Sequence, residues 1–382
     1  MIGLAAPVPG SEPGNTLGLV DTPRILMTLD AVGGVWRYGM DLAKALTPQG
    51  YSFIFAGFGP RPTPHQQAEA KSLGALHWFD APLDWTTEDE KALDVIPALL
   101  HTLVEESGAN LVQLNLPSQG AGLEVDVPVL VVSHSCVVTW FAAVRKAPVP
   151  RDWAWQQERN RAGFDVAAAV VAPSNTHASM LRQSYGAIPS LHVIYNGSDP
   201  LPVVARKEPI VFAAGRWWDE GKNGAVLDLA AARAKWPVVM AGSQKGPNGQ
   251  WMLLSHAQLP GELSHAQVMD RMSRAGIVVS PSLYEPFGLA PLEAANGGAA
   301  LVLADNPTYR ELWEGAALFA APQDPVGFAD AINRLADDET LRWELGDKAR
   351  ERAKRYSVAA QTSAMRDVYD NLLAPNPVAQ SA

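Results

Sequence analysis

The chain has one cysteine, Cys136, among 382 residues, so it cannot form an internal disulfide and fits a reducing setting. It has no apolar run near the roughly 18 residues that a spanning helix requires. Its opening, MIGLAAPVPGSEPGNTLG, lacks the basic stretch of a secretory signal and is rich in Pro and Gly, which reads as a floppy leader over 1–22. Positive charge is short. Lys and Arg number 30 against 40 Asp and Glu, a formal net charge of −10, which argues against nucleic acid and against broad adhesion to anionic lipid. No Asp-x-Asp occurs, the eight His are scattered without ligand spacing, and no Gly-Lys-Ser/Thr closes a phosphate loop. Neither a metal nor an organic cofactor is expected.

What the chain does have is alternation. Short β-like runs are expected at 24–29, 52–56, 110–115, 128–133, 166–172 and 191–194, and a second series at 209–214, 237–241, 276–280, 300–303 and 316–320. Several are continuous apolar runs, the pattern of parallel strands buried on both faces. Helical patterns between them imply doubly wound α/β sheets, each Rossmann-like. The stretch 197–208, rich in Pro and charge and without periodicity, reads as a linker. It divides the chain into a first domain over 23–200 and a second over 201–360, followed by a helix and a disordered tail within 361–382.

The most informative segment is SPSLYEPFGLAPLEAANGG, in which Glu285 and Glu293 flank a Pro-Phe-Gly turn and a helix start. Pro291 marks that start, because proline is tolerated in a first helical turn and not in an interior. The free N–H groups around Phe287, Gly288 and Leu289 then make an anion site. A Glu early in a helix is common for dipole reasons alone, so the wording around the pair matters. The run from Ser280 through Ala294 resembles the signature of family 4 retaining glycosyltransferases, and the resemblance extends from about Ile25 to about Tyr356.

That resemblance implies a GT-B architecture, two Rossmann-like domains facing across a cleft, with the C-terminal helix crossing back to the first domain. It implies a retaining, metal-independent hexosyltransferase that uses a nucleotide-diphosphate sugar of the UDP-glucose or GDP-mannose type. The acceptor would be a glycan or a lipid-linked acceptor. By the same resemblance Arg216 and Lys222, in GRWWDEGKN, bind the diphosphate, Glu293 the ribose and Glu285 the donor sugar. His134, at the end of PVLVVSH, falls where the family has a His at the reacting centre. Gly33 and Gly34 fall on the loop that lies against donor and acceptor.

The residues support these roles to different degrees. Cations at a helix N-terminus oppose the dipole, so a purely structural role for Arg216 and Lys222 is unattractive. Paired glycines let backbone approach a ligand closely, although Gly33-Gly34 alone would also suit an ordinary βα turn. A His at a strand end is usually a satisfied, half-buried imidazole. Asn115 is a weaker candidate for acceptor binding. Trp140 and Arg145 lie in a segment over 138–162 that mixes aromatic and basic residues. Core packing with a solvated basic face is the plainer account of it, while acceptor binding or weak peripheral contact with a membrane stays open. A cytoplasmic location, at most peripheral to the inner membrane face, follows from these readings. The alternatives are a nucleotide-sugar epimerase, a phosphorylase, or a sugar-nucleotide-binding protein of the same fold without catalysis. Lys222 and Lys245 show none of the context a pyridoxal phosphate lysine would need.

Overall fold

The computed structural model describes residues 22–202, 204, 206–247 and 249–374. Nearly all of the leader and of the tail expected from the sequence lies outside them. The first sheet has seven parallel strands: β1 (Arg24–Leu29), β2 (Ser52–Gly57), β3 (Gly74–Trp78), β4 (Leu111–Leu114), β5 (Val129–Val132), β6 (Ala169–Ala172) and β7 (Leu191–Val193). Their order is β3-β2-β1-β4-β5-β6-β7. The second has five: β8 (Glu208–Ala214), β9 (Val238–Ala241), β10 (Ala275–Ser280), β11 (Ala300–Ala304) and β12 (Leu318–Ala320), in the order β12-β11-β10-β8-β9 and again all parallel.

Strand alternation explains the apolar runs. Ile25, Met27 and Leu29 enter one core with Phe53, Phe55 and the helix Gly34–Leu46, while Leu26 enters the opposite core with Ile54, Val112 and Leu114. Both faces of β1 are covered, so nothing in it needs to be polar except at its carboxyl end. The strand β3 was not expected from sequence. It is an edge strand whose residues alternate between half-buried and exposed, so GALHW shows no apolar run. Val166, expected in a strand, instead ends the helix Trp155–Val166, and β6 begins at Ala169.

In each sheet the chain reverses its winding direction at one place, between β1 and β4 in the first and between β8 and β10 in the second. A crevice opens beyond the strand carboxyl ends at such a point. The segments leaving β1, β4, β5, β8 and β10 carry Asp30–Gly34, Asn115, His134, Gly215–Arg216 and Pro281–Gly288.

The chain crosses between domains twice, side by side. Ser198 N donates to Tyr356 O (3.1 Å), and a Cβ on Gly197 would stand 2.4 Å from Ser357 O, so only glycine fits there. The helix Val358–Leu373 then packs on the first domain. Tyr369 hydroxyl bonds Gln113 beneath the sheet, Asp370 meets Tyr51, and Met365 Sδ accepts from Tyr38 at 3.6 Å.

A staple joins the domains on the far side. Glu311, on the helix Pro307–Trp313, accepts from Asn175 N (2.9 Å), Thr176 N (2.7 Å), Thr176 Oγ1 (2.6 Å) and Tyr195 hydroxyl (3.0 Å). It thereby caps the first turn of the helix Asn175–Tyr185, where backbone donors and the helix dipole both favour a carboxylate. Burial alone would raise this carboxyl, but the bonds from Thr176, Asn175 and Tyr195 outweigh it and hold it below the usual range. A lowered folded value means that the contribution is complete above the unfolded pKa and is lost as pH falls through the folded one. Glu311→Ala should therefore cost about 1.5–3 kcal/mol at neutral pH, toward the lower end because the site is partly open to solvent. Urea melts at stepped pH check this, and the gap between wild type and variant should close on acidification below about 4.5.

Candidate active site

Between the two sets of strand ends lies a cavity of about 780 Å³. It is lined by Gly33, Gly34, His134, Trp140, Arg145, Arg216, Lys222, Glu285, Phe287, Gly288 and Leu289, so the structure brings most of the residues singled out from sequence to one place. Its floor on the second domain is the N-terminus of the helix Leu289–Asn296. Gly288 precedes that helix with φ 97° and no side chain caps it, which leaves the first backbone amides without a side-chain partner. A Cβ on Gly288 would meet Tyr309 Cε1 at 2.9 Å and Glu285 Cγ at 3.3 Å, so the turn is closed to other residues on grounds of both space and conformation.

Lys222 Nζ and Glu285 Oε2 form a half-buried ion pair of 2.7 Å beside these amides. Arg216 reaches the opposite domain, donating to Val32 O at 3.2 Å and to Asp219 Oδ2 at 3.4 Å. Its Nη1 would stand 3.2 Å from a Cβ on Gly33, whose φ of 158° and ψ of −145° are themselves glycine values. Gly34 faces Leu289 Cδ1 across the cleft at 3.5 Å by the same measure. The two glycines thus admit the second domain's helix start and its arginine to within contact of the first domain's backbone.

His134 is held from behind. Asn115 Nδ2 donates to Thr28 O (2.6 Å), leaving its Oδ1 to accept from His134 Nε2 (3.0 Å) and from Gln113 Nε2 (3.1 Å). The ring therefore carries its proton on Nε2 and a bare lone pair on Nδ1. Burial, with the neighbouring His177, pushes its pKa down to about 3, and the Tyr38 ring packs edge-on at 4.4 Å. The imidazole is neutral at physiological pH, so no imidazolium is present to act as an acid.

The structure gives three of these expectations a different setting. Asn115, expected to bind acceptor, is 2% exposed, and its amide is consumed by Thr28, Gln113 and His134, so it positions the histidine instead. Glu293, 9% exposed, does not line the cavity. It sits one helical turn beyond Leu289, on the same helix face, and feels Asp41 and Arg37 of the first domain. Burial first, and then Asp41, pushes its pKa up to about 8. The segment over 138–162 does not simply pack as core with a solvated basic face. Trp140, Phe141 and Trp153 form a run of ring contacts along the cavity wall, while Arg159 is buried and paired with Asp94 at 2.9 Å.

Further residues complete the site. Asp219 accepts from Trp140 Nε1 (3.1 Å), Gly221 N (2.9 Å) and Arg216, tying the turn that carries both cations to the first domain. An Asp three residues after Arg216 and two before a glycine is a turn-capping pattern that could have been noticed. Glu220 pairs with Arg145 at 2.5 Å. Of the two adjacent tryptophans, Trp217 packs beneath the site with its indole N–H on Ala241 O, while Trp218 lines the cavity and stacks on Trp85 at 6.3 Å. Further across, Thr139 Oγ1 meets Tyr284 hydroxyl at 2.8 Å and Ser174 Oγ donates to Pro286 O at 2.6 Å. The cleft is thus bridged on several sides.

Comparison with known proteins agrees with this arrangement. Residues 32–200 match the model of Glycosyltransferase Family 4, and residues 204–352 match that of Glycosyl transferases group 1. A glycogen synthase of Mycobacterium tuberculosis (strain H37Rv) is 28% identical over 180 residues, 42% of this chain and 43% of that protein. A D-inositol 3-phosphate glycosyltransferase of Corynebacterium kroppenstedtii is 31% identical over 112 residues, 27% of this chain and 23% of that one. The matches span less than half of these curated relatives. In fold, sucrose-phosphate synthase from Thermosynechococcus elongatus superposes with a TM-score of 0.77 at 20% identity, covering 92% of this chain and 99% of that one. Anabaena HepE, in complex with UDP and glucose, gives 0.72 at 16% identity, covering 91% and 100%. With two parallel-sheet domains in the GT-B architecture and both halves matched by their family models, the chain belongs to glycosyltransferase family 4.

Proposed function

We propose that the chain moves a hexosyl group, with retention, from a nucleotide-diphosphate sugar to a glycan or lipid-linked acceptor, without a metal ion. The observation that carries this reading is the convergence of Arg216, Lys222 and an uncapped helix start on one end of the cleft, with Glu285 beside them. Negative charge grows on a diphosphate as its bond to the sugar breaks. Fixed cations and amides aimed at that point stabilise the growth without reorganising. Those groups do here what a metal does elsewhere.

In this reading the anomeric C–O bond breaks with its electron pair left on the diphosphate. The acceptor oxygen bonds to the same face of the anomeric carbon and passes its proton to the leaving phosphate oxygen. Glu285 accepts from the donor sugar's hydroxyls and favours positive charge at the anomeric carbon. His134, neutral and oriented by Asn115, offers an acceptor at the sugar and does not titrate. Arg216 and Lys222 are met already engaged, with Asp219 and Glu285, so an arriving diphosphate must share or displace carboxylate partners. UDP-glucose of the kind held by Anabaena HepE and GDP-mannose are both donors to try. The lone thiol of Cys136 is buried and free, which suits a cytoplasmic setting, and no described helix is long and apolar enough to cross a membrane. Association with a membrane face would then be peripheral.

Arg216→Ala and Lys222→Ala should each weaken nucleoside diphosphate binding by about 1.5–3 kcal/mol by calorimetry, the scale of hydrogen bonds to charged groups. Unchanged titrations would refute the assignment. Glu285→Ala should hurt binding of the nucleotide sugar more than of the free diphosphate, and EDTA should leave turnover nearly intact.

Glu293 supplies a separate test. Its carboxyl would take the ribose hydroxyls as an ionised acceptor, yet it is protonated below about pH 8 in the free protein. Nucleotide affinity should therefore rise as pH passes through that value, with proton release on binding. The same raised value means that Glu293 favours folding least at high pH, since its stabilising protonated form is lost as pH rises through the folded pKa. Glu293→Gln should melt higher than wild type at pH 9, with the difference shrinking toward pH 5, while losing the pH dependence of nucleotide affinity.

A further inference from the structure

The donor end of the cleft is cationic, and the rest of it is not. The cations lining the cavity among the described residues are Arg145, Arg216 and Lys222, and each has an acid beside it: Glu220 at 2.5 Å, Asp219 at 3.4 Å and Glu285 at 2.7 Å. One further acid, Asp84, lines the same cavity without a cationic ion-pair partner. It is 2% exposed, and its Oδ2 has no hydrogen-bond partner. A diphosphate at the helix start would occupy Arg216 and Lys222, leaving only Arg145, already matched by Glu220. Of the cations near Asp84, Arg159 is already paired with Asp94 at 2.9 Å, and no unmatched cation lines the cavity among the described residues to compensate a second phosphate.

The same wall is aromatic. Trp85 follows Asp84 directly and stacks on Trp218 with an interplanar angle of 19°. Trp140 meets Phe141 edge-on at 5.2 Å, and Phe141 lies 6.3 Å from Trp153. All five line the cavity and stay half-buried rather than packed away, although Arg216 already lies over the Trp218 ring at 5.5 Å and Arg145 near that of Trp140 at 5.9 Å. Indole rings present a flat apolar face with a negative quadrupole, which suits the C–H face of a pyranose. A neighbouring carboxyl oxygen suits the hydroxyls at the ring edge.

We infer that the acceptor is an uncharged sugar chain, its rings laid on Trp85, Trp140, Phe141 and Trp153 with a hydroxyl on Asp84, and that phosphorylated acceptors are turned away. This deepens the glycosyl-transfer reading and rests on it for the word acceptor. The sugar seat itself can be measured without turnover.

The test is titration of the full chain with neutral hexose trisaccharides of α and β linkage, and with hexose phosphates and inositol phosphate, followed by tryptophan fluorescence. At least one neutral trisaccharide should give a saturable change at concentrations where the phosphates give none. Trp85→Leu, Trp153→Leu and Asp84→Asn should each weaken that binding about tenfold. Nucleoside diphosphate titration of each variant shows that it is folded, and Trp153→Phe should restore part of the loss if Trp153→Leu fails that check. Phosphorylated sugars binding as well as neutral ones, or trisaccharide affinity unmoved by the three substitutions, would overturn the inference. Turnover of a nucleotide sugar with only a phosphorylated acceptor would also overturn it, leaving glycosyl transfer intact. Trisaccharide binding with no diphosphate released from any nucleotide sugar would support the sugar seat while removing the transferase reading.

Discussion

The ion pair between Lys222 and Glu285 sets the terms for the rest of the cleft. Two opposite charges held half out of water are worth keeping only where geometry is good and further polar partners are near. Here the free amides of the helix start and the hydroxyl of Tyr309 supply them. The pair keeps a cation at the helix N-terminus, where the dipole alone would repel it. It also keeps a carboxylate next to the place where a sugar would carry positive charge. Each group is thereby held ready for a ligand that carries both signs at once, a negative leaving group and an electron-poor carbon. A ligand with only one of those features would break the pair and leave one member unmatched.

That local balance depends on the sheets. Each domain places its loops where strand order reverses, and the two reversal points face each other. Gly288 sits where the chain's own turn comes too close for a side chain, while Gly33 and Gly34 meet Arg216 and Leu289 of the second domain. The contacts across the gap, Thr139 to Tyr284, Ser174 to Pro286 and Arg216 to Val32, are small and polar rather than a continuous apolar interface. The bonds of Thr139 and Ser174 are buried and hold the two faces together at a few polar points.

Much of this was legible in the chain itself, and the limits have physical causes. Strands buried on both faces announce themselves as apolar runs, so the second sheet and most of the first could be read. The edge strand β3 could not, because half of it faces solvent. Glu285, Lys222 and Arg216 stood out because the family resemblance marks their positions, beside turns that the sequence encodes. Asn115 was misread because its position at a strand end is a local fact, whereas its capture by Thr28 and His134 is a tertiary one. Asp84 and Trp85 were missed for the same reason. They lie in a stretch of short turns with no period, and only the folding of that stretch against the helix Trp155–Val166, through Gln156 Nε2 on Asp84 O, brings them to the cleft.

The two ends of the cleft differ in how they treat charge, and the difference follows from which domain supplies them. The second domain contributes a helix N-terminus and two cations, all local to turns after β8 and β10. The first contributes rings, a neutral imidazole and buried carboxyls at Asp30 and Asp84, with burial raising both. The positive end orients a molecule with an anionic tail before any specific contact forms. The contrast also assigns the halves different selectivity. On the proposed reading, donor choice is a matter of hydrogen bonds to charged groups, where loss of one partner is costly. Acceptor choice is a matter of ring faces and a few hydroxyls, where each contact is worth less and several must add up. The donor side should accordingly tolerate little change in residue type, and the aromatic wall is where related chains of this family can diverge in acceptor without disturbing the chemistry.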